Sequence, residues 1–193
     1  MKQNQSKSQV AEFYEEFQSH GKYDYFYGGE DRKDLYVDLI GKGHRILEVG
    51  CRSGNLTQYF YEGNDVVGID VDRNALKEFK KRLNLSGQWV DVDSEDFPFA
   101  DAQFDVVVFS EVMEHLRFPQ KALKEIVRVL KPKGRLIGSV PNAFRLRNRL
   151  KFLFGKPYEV DASHLRSYSH ALLRQELSSC FEEIEIHPIS GHL

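Results

Sequence analysis

The sequence predicts an α/β fold, a doubly wound, mostly parallel sheet of six or seven strands with helices on both faces. Strand and helix patterns alternate from Ile46 to Ile189 without an internal repeat, as expected for linked βαβ units. A buried strand at 45–49 runs into a glycine turn at 50–54, and the next strand ends on Asp70. This is the outline of a nucleotide-binding βαβ unit, which binds its ligand at the carboxyl ends of the strands.

The chain ahead of the sheet is predicted to be helical and aromatic. Residues 8–20 carry apolar side chains at helical spacing, with Ser8 as N-cap and Gly21 as stop. Residues 23–27 are rich in tyrosine, and we expect them either to close over a ligand or simply to pack on the core. Leucines and an isoleucine on one face predict a second helix at 31–40.

The elements of the sheet follow in order. Apolar runs predict strands at 45–49, 66–69, 88–92, 104–109, 135–140 and 183–189. Helical spacing of apolar residues predicts helices at 55–61, 73–83, 119–130, 144–154 and 169–180. The sequence KPKG at 131–134 predicts the turn before the fifth strand.

Length and composition indicate one ordinary globular domain. The chain has 193 residues, 41% hydrophobic and 29% charged, with a formal net charge of −2, so its overall charge favours neither nucleic acid nor an anionic membrane. The two cysteines form no CxxC pattern, which indicates a reducing, cytoplasmic setting. A polar N-terminus without an apolar stretch predicts no secretory signal, and the longest apolar run, 106–109, is far too short for a membrane span.

We divide this single domain, 1–193, into three parts. Residues 1–43 are predicted to form N-terminal helices and an aromatic cap. Residues 44–142 are predicted to form the core that binds the nucleotide. Residues 143–193 are predicted to cover the side of the cleft where a second substrate, the acceptor, would bind, and to supply the last strand.

The glycine turn indicates which kind of nucleotide binds. The dinucleotide pattern G-x-G-x-x-G fails, because its second and third glycines would fall on Arg52 and Asn55. The turn fits acid-x-Gly-x-x-x-Gly instead, with Glu48, Gly50 and Gly54. A carboxylate so close to the turn repels a pyrophosphate and suits a cationic ligand. S-adenosylmethionine carries a sulfonium and an ammonium group and no phosphate.

Five segments in order resemble the class I S-adenosylmethionine-dependent methyltransferases. LEVGCRSGNL is similar to the first motif of that family, and VVGIDVD to the second. VDSEDFPFADAQFDVVVFSEVMEHL resembles the third and fourth motifs, and ALKEIVRVLKPKGRLIGSVPN the helix, turn and strand that follow. HLRSYSHALLRQELSSCF is similar to the late segment of the small-molecule branch that includes ubiquinone-pathway O-methyltransferases. The resemblance implies a Rossmann-like fold and methyl transfer (EC 2.1.1.-) to a small-molecule oxygen or nitrogen acceptor.

The resemblance also implies roles for single residues on the nucleotide side. Glu48 would orient the methionine ammonium, and Gly50 and Gly54 would let the backbone approach the ligand. Asp70 would accept hydrogen bonds from the ribose hydroxyls. The adenine would meet two residues after the third strand, and two further residues would line the site between these groups: Asp93, Ser94, Cys51 and Val71.

On the methionine side, the resemblance places Ser110 and Glu111 beneath the methionine moiety. Arg32 would clamp the methionine carboxylate. Tyr27, or alternatively Tyr25, would close over the sulfonium, because the face of an aromatic ring attracts positive charge.

Arg52 departs from the family pattern, since it stands at the middle glycine of the turn. If the backbone there requires a positive φ, arginine costs about 1 kcal/mol. This departure motivates an alternative function, a non-catalytic module that binds S-adenosylmethionine or S-adenosylhomocysteine.

A second group of residues, Glu111, Glu114, His115 and His164, is predicted on the acceptor side. Residues three and four apart share a helix face, and carboxylates with imidazoles hold divalent cations. The resemblance implies a metal here, with Mg²⁺ as the candidate. The alternative is a charged helix start without metal, in which His115 or His164 acts as general base and Glu111 serves the acceptor.

Residues 144–156 are basic and aromatic. They could contact a nucleic acid or an anionic membrane surface. The resemblance favours a cover helix whose arginine stems lie along apolar surface. We therefore expect a small-molecule acceptor as partner, no DNA, no RNA, and a monomer or homodimer.

Overall fold

A computed structural model describes residues 29–157, 161 and 163–189 of the chain. The described strands form one parallel sheet in the order β3-β2-β1-β4-β5. The strands are β1 (Arg45–Val49), β2 (Asp65–Asp70), β3 (Ser86–Trp89), β4 (Phe104–Ser110) and β5 (Leu130–Ser139). The helices are α1 (Gly29–Ile40), α2 (Arg73–Leu83), α3 (Pro119–Val129), α4 (Leu146–Leu153) and α5 (His170–Ser178). The helix predicted at 8–20 and the aromatic residues 23–27 lie outside the described residues.

Alternate residues of the central strands enter two separate cores, because successive side chains of a strand point to opposite faces. On one face, Leu47 and Val107 pack with the apolar stripe of α3 and with leucines of α5. On the other, Ile46 and Val106 pack with Tyr36 and Ile40 of α1. Both faces of the sheet are covered by helices, which confirms the doubly wound architecture.

The strand count is lower than predicted, because the described residues contribute five strands to the sheet. The predicted strand at 183–189 is wrong: these residues show strand-like alternation of burial but join no ladder. Pro188 lacks an amide hydrogen and would interrupt such a ladder. The third strand lies at Ser86–Trp89, a little earlier than the predicted 88–92.

Two shorter elements also differ from expectation. The helix predicted at 55–61 contracts to a single 3₁₀ turn, Thr57–Tyr59. The amide group of Asn64 ends it by donating to the carbonyls of Phe60 and Gly41. The KPKG sequence lies within β5, which has an irregular register opposite the start of β4.

The carboxyl ends of all five strands meet at one edge of the sheet. The strand order reverses between β1 and β4, and ligands of doubly wound folds bind in the crevice outside such a reversal. The loops that leave β1, β2, β4 and β5 therefore supply the candidate site. Within the described residues, no helix combines the length and apolar character that a bilayer crossing needs.

Candidate functional site

The turn after β1 is held against both neighbouring segments. Gly50 and Gly54 have φ values of +80° and +86°, which side chains other than glycine adopt with strain. A Cβ on Gly50 would lie 2.3 Å from Val112 in the loop after β4, and one on Gly54 would lie 2.5 Å from Leu83 of α2. Close packing of the protein around this turn is therefore a sufficient reason for both glycines.

Arg52 has a φ of +45°, so the position does use the left-handed region. Its backbone amide donates to the carboxylate of Asp70 over 2.8 Å. The turn thus uses a strained arginine backbone to hold the end of β2.

Replacing Arg52 by glycine is expected to raise the free energy of unfolding. Glycine adopts the left-handed region without the steric cost, which is about 1 kcal/mol or more for other residues. Arg52→Ala removes the same side chain but keeps that cost, so it is the matched control. Urea unfolding monitored by circular dichroism should show Arg52→Gly to be the more stable of the two variants. Equal stability would contradict the strain.

Asp70 is buried at the end of β2 and accepts from two backbone amides, those of Arg52 and Asp72. Burial raises the pKa of its carboxyl, and these two hydrogen bonds oppose that rise. The next residue, Val71, accepts at its carbonyl from the indole of Trp89 over 2.7 Å. Asp70 and Val71 are therefore fixed in place at the edge of the crevice.

Glu48 lies inside β1, buried, and accepts a hydrogen bond from the Thr57 hydroxyl. Burial raises the pKa of this carboxyl to about 8, the hydrogen bond from Thr57 opposes the rise, and the charge of Asp70 adds to it. Glu48 is thus protonated at neutral pH. Cys51 lies beside these acids, and burial raises the pKa of its thiol well above the usual value, so it is a packed turn residue without nucleophilic character.

Asp93 and Ser94 have internal partners. The carboxylate of Asp93 accepts from Arg117 Nε over 2.6 Å and from the Phe118 amide over 2.9 Å, at the start of α3. The Ser94 hydroxyl donates to Asp91. Sequence reasoning did not find Arg117, which stands 24 residues from its partner. The adenine-binding role of Asp93 and Ser94 stays a prediction.

Arg32 connects α1 to the ends of β4 and β5. Its Nη2 lies 2.9 Å from both the Ser110 hydroxyl and Glu111 Oε1, and it also donates to the Ser139 hydroxyl. Tyr36, one turn further along α1, is buried, and burial raises the pKa of its hydroxyl. Ser139 and Tyr36 were not identified from the sequence. Glu111 has a φ of +55°, a strained conformation of the kind that concentrates at functional sites.

Glu114, His115 and His164 converge next to this network. One ligand atom from each lies within 4.8 Å of the others, and the two imidazole centroids are 4.7 Å apart. The amides of Leu165 and Arg166 donate to the Glu114 carbonyl, and this brings His164 to the loop after β4. Glu111 is not part of this group, although the sequence placed it there.

The carboxylate of Glu114 is buried, and neither of its oxygens has a hydrogen-bond partner. Burial raises its pKa well above the usual value, and the charge of Glu111 adds to the rise. Burial lowers the pKa of His115. A buried carboxylate without donors is a group that a cation would satisfy.

Two residues missed in the sequence support this cluster. Ser163 Oγ lies 3.1 Å from His115 Nδ1, and Asp161 accepts from the same hydroxyl over 2.5 Å. Asp161 Oδ2 also lies 3.8 Å from His164 Nε2. The signal for this arrangement was the short D-x-S-H sequence at 161–164. Tyr27 lies outside the described residues.

Comparison with known proteins finds a matching domain family and similar methyltransferases. Residues 47–138 match a methyltransferase domain family. Demethylmenaquinone methyltransferase from Renibacterium salmoninarum is 37% identical over 106 residues, 53% of this chain and 44% of that protein. The ubiquinone/menaquinone biosynthesis C-methyltransferase UbiE from Azotobacter vinelandii is 28% identical over 170 residues, 81% of this chain and 65% of that protein.

Solved structures agree on the fold. A SAM-dependent methyltransferase from Thermotoga maritima superposes with a TM-score of 0.67 at 20% identity, over 90% of this chain and 80% of that one. The chain spans between 44% and 65% of the length of the two curated relatives named above. Residues 47–138 therefore match a methyltransferase domain in sequence, and the order of the motifs and the parallel sheet are those of the class I S-adenosylmethionine-dependent methyltransferase fold.

Proposed function

We propose that the protein binds S-adenosylmethionine in the crevice between β1 and β4 and transfers its methyl group to a small-molecule acceptor. The observation that carries this proposal is the buried Glu48, held behind the glycine turn and near Asp70 at the reversal of strand order. A cationic cofactor would favour ionisation of this buried acid and gain its attraction, whereas a pyrophosphate would only hold it protonated, so the position suits a cation. The roles of Glu48, Asp70 and Ser110 toward the cofactor belong to this proposal.

The chemistry left to the protein is positioning and proton removal. The sulfonium already activates the methyl group, so holding donor and acceptor in line supplies most of the acceleration. His115 and His164 lie beyond the end of β4, where an acceptor would meet the methyl group. We assign them the removal of a proton from the acceptor, with Asp161 and Ser163 orienting the two rings.

The same cluster fits a divalent cation, held by Glu114, His115 and His164. Two imidazoles and one carboxylate favour Mn²⁺, Fe²⁺ or Zn²⁺ over the Mg²⁺ expected from the sequence, because Mg²⁺ prefers oxygen ligands. With a cation bound, the two imidazoles would serve as its ligands and not as bases, and the cation would lower the pKa of an acceptor hydroxyl. Glu111 is bound to Arg32 instead, and we assign it to the wall beneath the methionine moiety.

The names of the relatives narrow the chemical class of the proposed acceptor. Their names state methylation in ubiquinone and menaquinone biosynthesis, at carbon for UbiE. The sequence favoured oxygen or nitrogen. A ring hydroxyl reconciles both, because its deprotonation makes the oxygen and the adjacent ring carbon nucleophilic. We therefore propose an aromatic acceptor that carries an ionisable hydroxyl.

The test is turnover of S-adenosylmethionine against hydroxylated aromatic compounds, read as formation of S-adenosylhomocysteine. His115→Ala is expected to lower kcat by about a hundredfold or more, the usual range for losing a general base, with the affinity for S-adenosylmethionine unchanged. The exposed His187→Ala is the matched control. Unchanged kcat in His115→Ala would refute its role. Binding without turnover on any acceptor would favour the non-catalytic module.

A further inference from the structure

The surface around α4 does not match the expected cover helix. The five leucine and phenylalanine side chains from Leu146 to Phe154 are 48% to 75% exposed. The one buried residue of the helix is polar, Asn148, which donates to the Ala143 carbonyl. The helix therefore packs on the domain through its polar face and presents its apolar face outward. In the predicted cover helix, the leucines would be buried against the domain and the arginine stems would lie along apolar surface.

The exposed apolar side chains form a continuous stripe flanked by positive charge. Leu146, Leu150 and Leu153 follow the i, i+4, i+7 spacing of one helix face. Phe144 and Phe154, both exposed, extend this apolar surface just outside the two ends of the helix, and Phe152 is exposed within the helix but away from the leucine face. The segment 144–156, which we call the basic-aromatic segment, carries five cations and no acid: Arg145, Arg147, Arg149, Lys151 and Lys156. This charge stands out on a chain whose net charge is −2.

We propose that the basic-aromatic segment is a docking surface for an anionic lipid bilayer. Helices that lie in the bilayer interface combine an apolar face of Leu and Phe with Lys and Arg on their flanks. The positive charge complements anionic headgroups, and the leucine stripe has a place in the acyl boundary. An RNA partner would use the arginines but would leave the leucine stripe in water. A second copy of this chain would bring an equally basic segment against it.

The basic-aromatic segment is linked to the acceptor side of the candidate site. The Asn142–Tyr168 bridge closes the base of the loop that carries it, and the returning chain reaches the carbonyl of Glu114. Docking would therefore bring the acceptor side of the site close to the lipid phase, from which an apolar acceptor could enter. That consequence rests on the proposed function, whereas binding to vesicles does not.

Vesicle co-sedimentation of the full chain tests the proposal. We expect binding to equimolar phosphatidylcholine and phosphatidylglycerol vesicles, and far weaker binding to pure phosphatidylcholine. The triple variant Arg147→Gln, Arg149→Gln, Lys151→Gln should lower the partition coefficient by about a hundredfold. Lys77→Gln, Lys80→Gln, Lys81→Gln makes the same charge change on α2 and should have little effect.

The apolar stripe needs its own variant. Leu146→Gln, Leu150→Gln, Leu153→Gln should lower partitioning by about tenfold or more, while Val127→Gln, an exposed apolar position on α3, should not. Thermal unfolding followed by circular dichroism verifies that each variant is folded. Failure of the wild-type chain to bind anionic vesicles would overturn the proposal. Equal partitioning of the stripe variant, or binding to an RNA oligonucleotide without binding to vesicles, would also overturn it.

Discussion

S-adenosylmethionine is expected to bind at pH 7 with release of about one proton, as linkage requires when binding lowers the pKa of a buried acid. The carboxyl of Glu48 has a pKa of about 8, so it is protonated before the cofactor arrives. The cationic ligand favours the carboxylate, and the pKa falls on binding. Affinity should then increase as pH rises toward 8, by up to about tenfold per pH unit.

Calorimetric titration in phosphate and in Tris at pH 7 measures the released proton directly, because the two buffers differ in ionisation enthalpy. Glu48→Gln should bind S-adenosylmethionine about tenfold or more weakly, the cost of losing one charged hydrogen bond, and should release no proton. Glu182→Gln, at an exposed glutamate, should behave as wild type. Proton release that persists in Glu48→Gln would assign it to another group.

The same pKa fixes the sign of a stability effect without the cofactor. Between about pH 4.5 and 8 the folded state holds the Glu48 proton and the unfolded state does not. Stability therefore falls as pH rises through this window, by at most about 1.4 kcal/mol per pH unit. Asp70 and Glu114 act in the same direction, so the contribution of Glu48 is the difference between the wild-type and Glu48→Gln slopes.

Mn²⁺ or Zn²⁺ is expected to stabilise the chain against unfolding through Glu114, His115 and His164. A ligand at a hundred times its Kd stabilises the folded state by about 2.7 kcal/mol, which thermal unfolding detects readily. Glu114→Gln and His164→Ala should abolish this stabilisation. The glutamine at position 114 fills nearly the same volume, so the fold itself should persist.

Glu111→Gln separates the structural assignment from the one based on sequence. The structure places Glu111 on Arg32 and outside the converging ligand atoms, so this variant should retain metal stabilisation. Loss of stabilisation in both glutamate variants would place Glu111 in the ligand set. No stabilisation of the wild-type chain by Mn²⁺ or Zn²⁺ would refute the metal, and the two histidines would then act only as bases.

Local patterns predicted most of the fold. The strand at 104–109 is apolar throughout because helices cover both faces of its sheet, and the left-handed turn at Arg52 follows from its place among the glycines. The strand predicted at 183–189 was wrong because alternation of apolar residues does not reveal whether a neighbouring strand is available for pairing. Pro188 was the feature of the sequence that argued against a strand there.

The site was less predictable wherever it depends on contacts distant in sequence. Arg117 forms an ion pair with Asp93, and Arg32 forms one with Glu111. Both pairs depend on which loops lie side by side in the folded chain. The leucines of α4 have the same sequence pattern whether they face a core or solvent. Helical spacing predicts that they share one face of the helix but not what that face contacts.

One titration tests the central claim most directly: S-adenosylmethionine, S-adenosylhomocysteine and NADH, each added to the full chain in a calorimeter. We predict saturable binding of the first two at one site, weakened in Asp70→Asn by about tenfold through loss of charged hydrogen bonds to the ribose, and no binding of NADH. Binding of NADH without binding of S-adenosylmethionine at millimolar concentration would contradict the account.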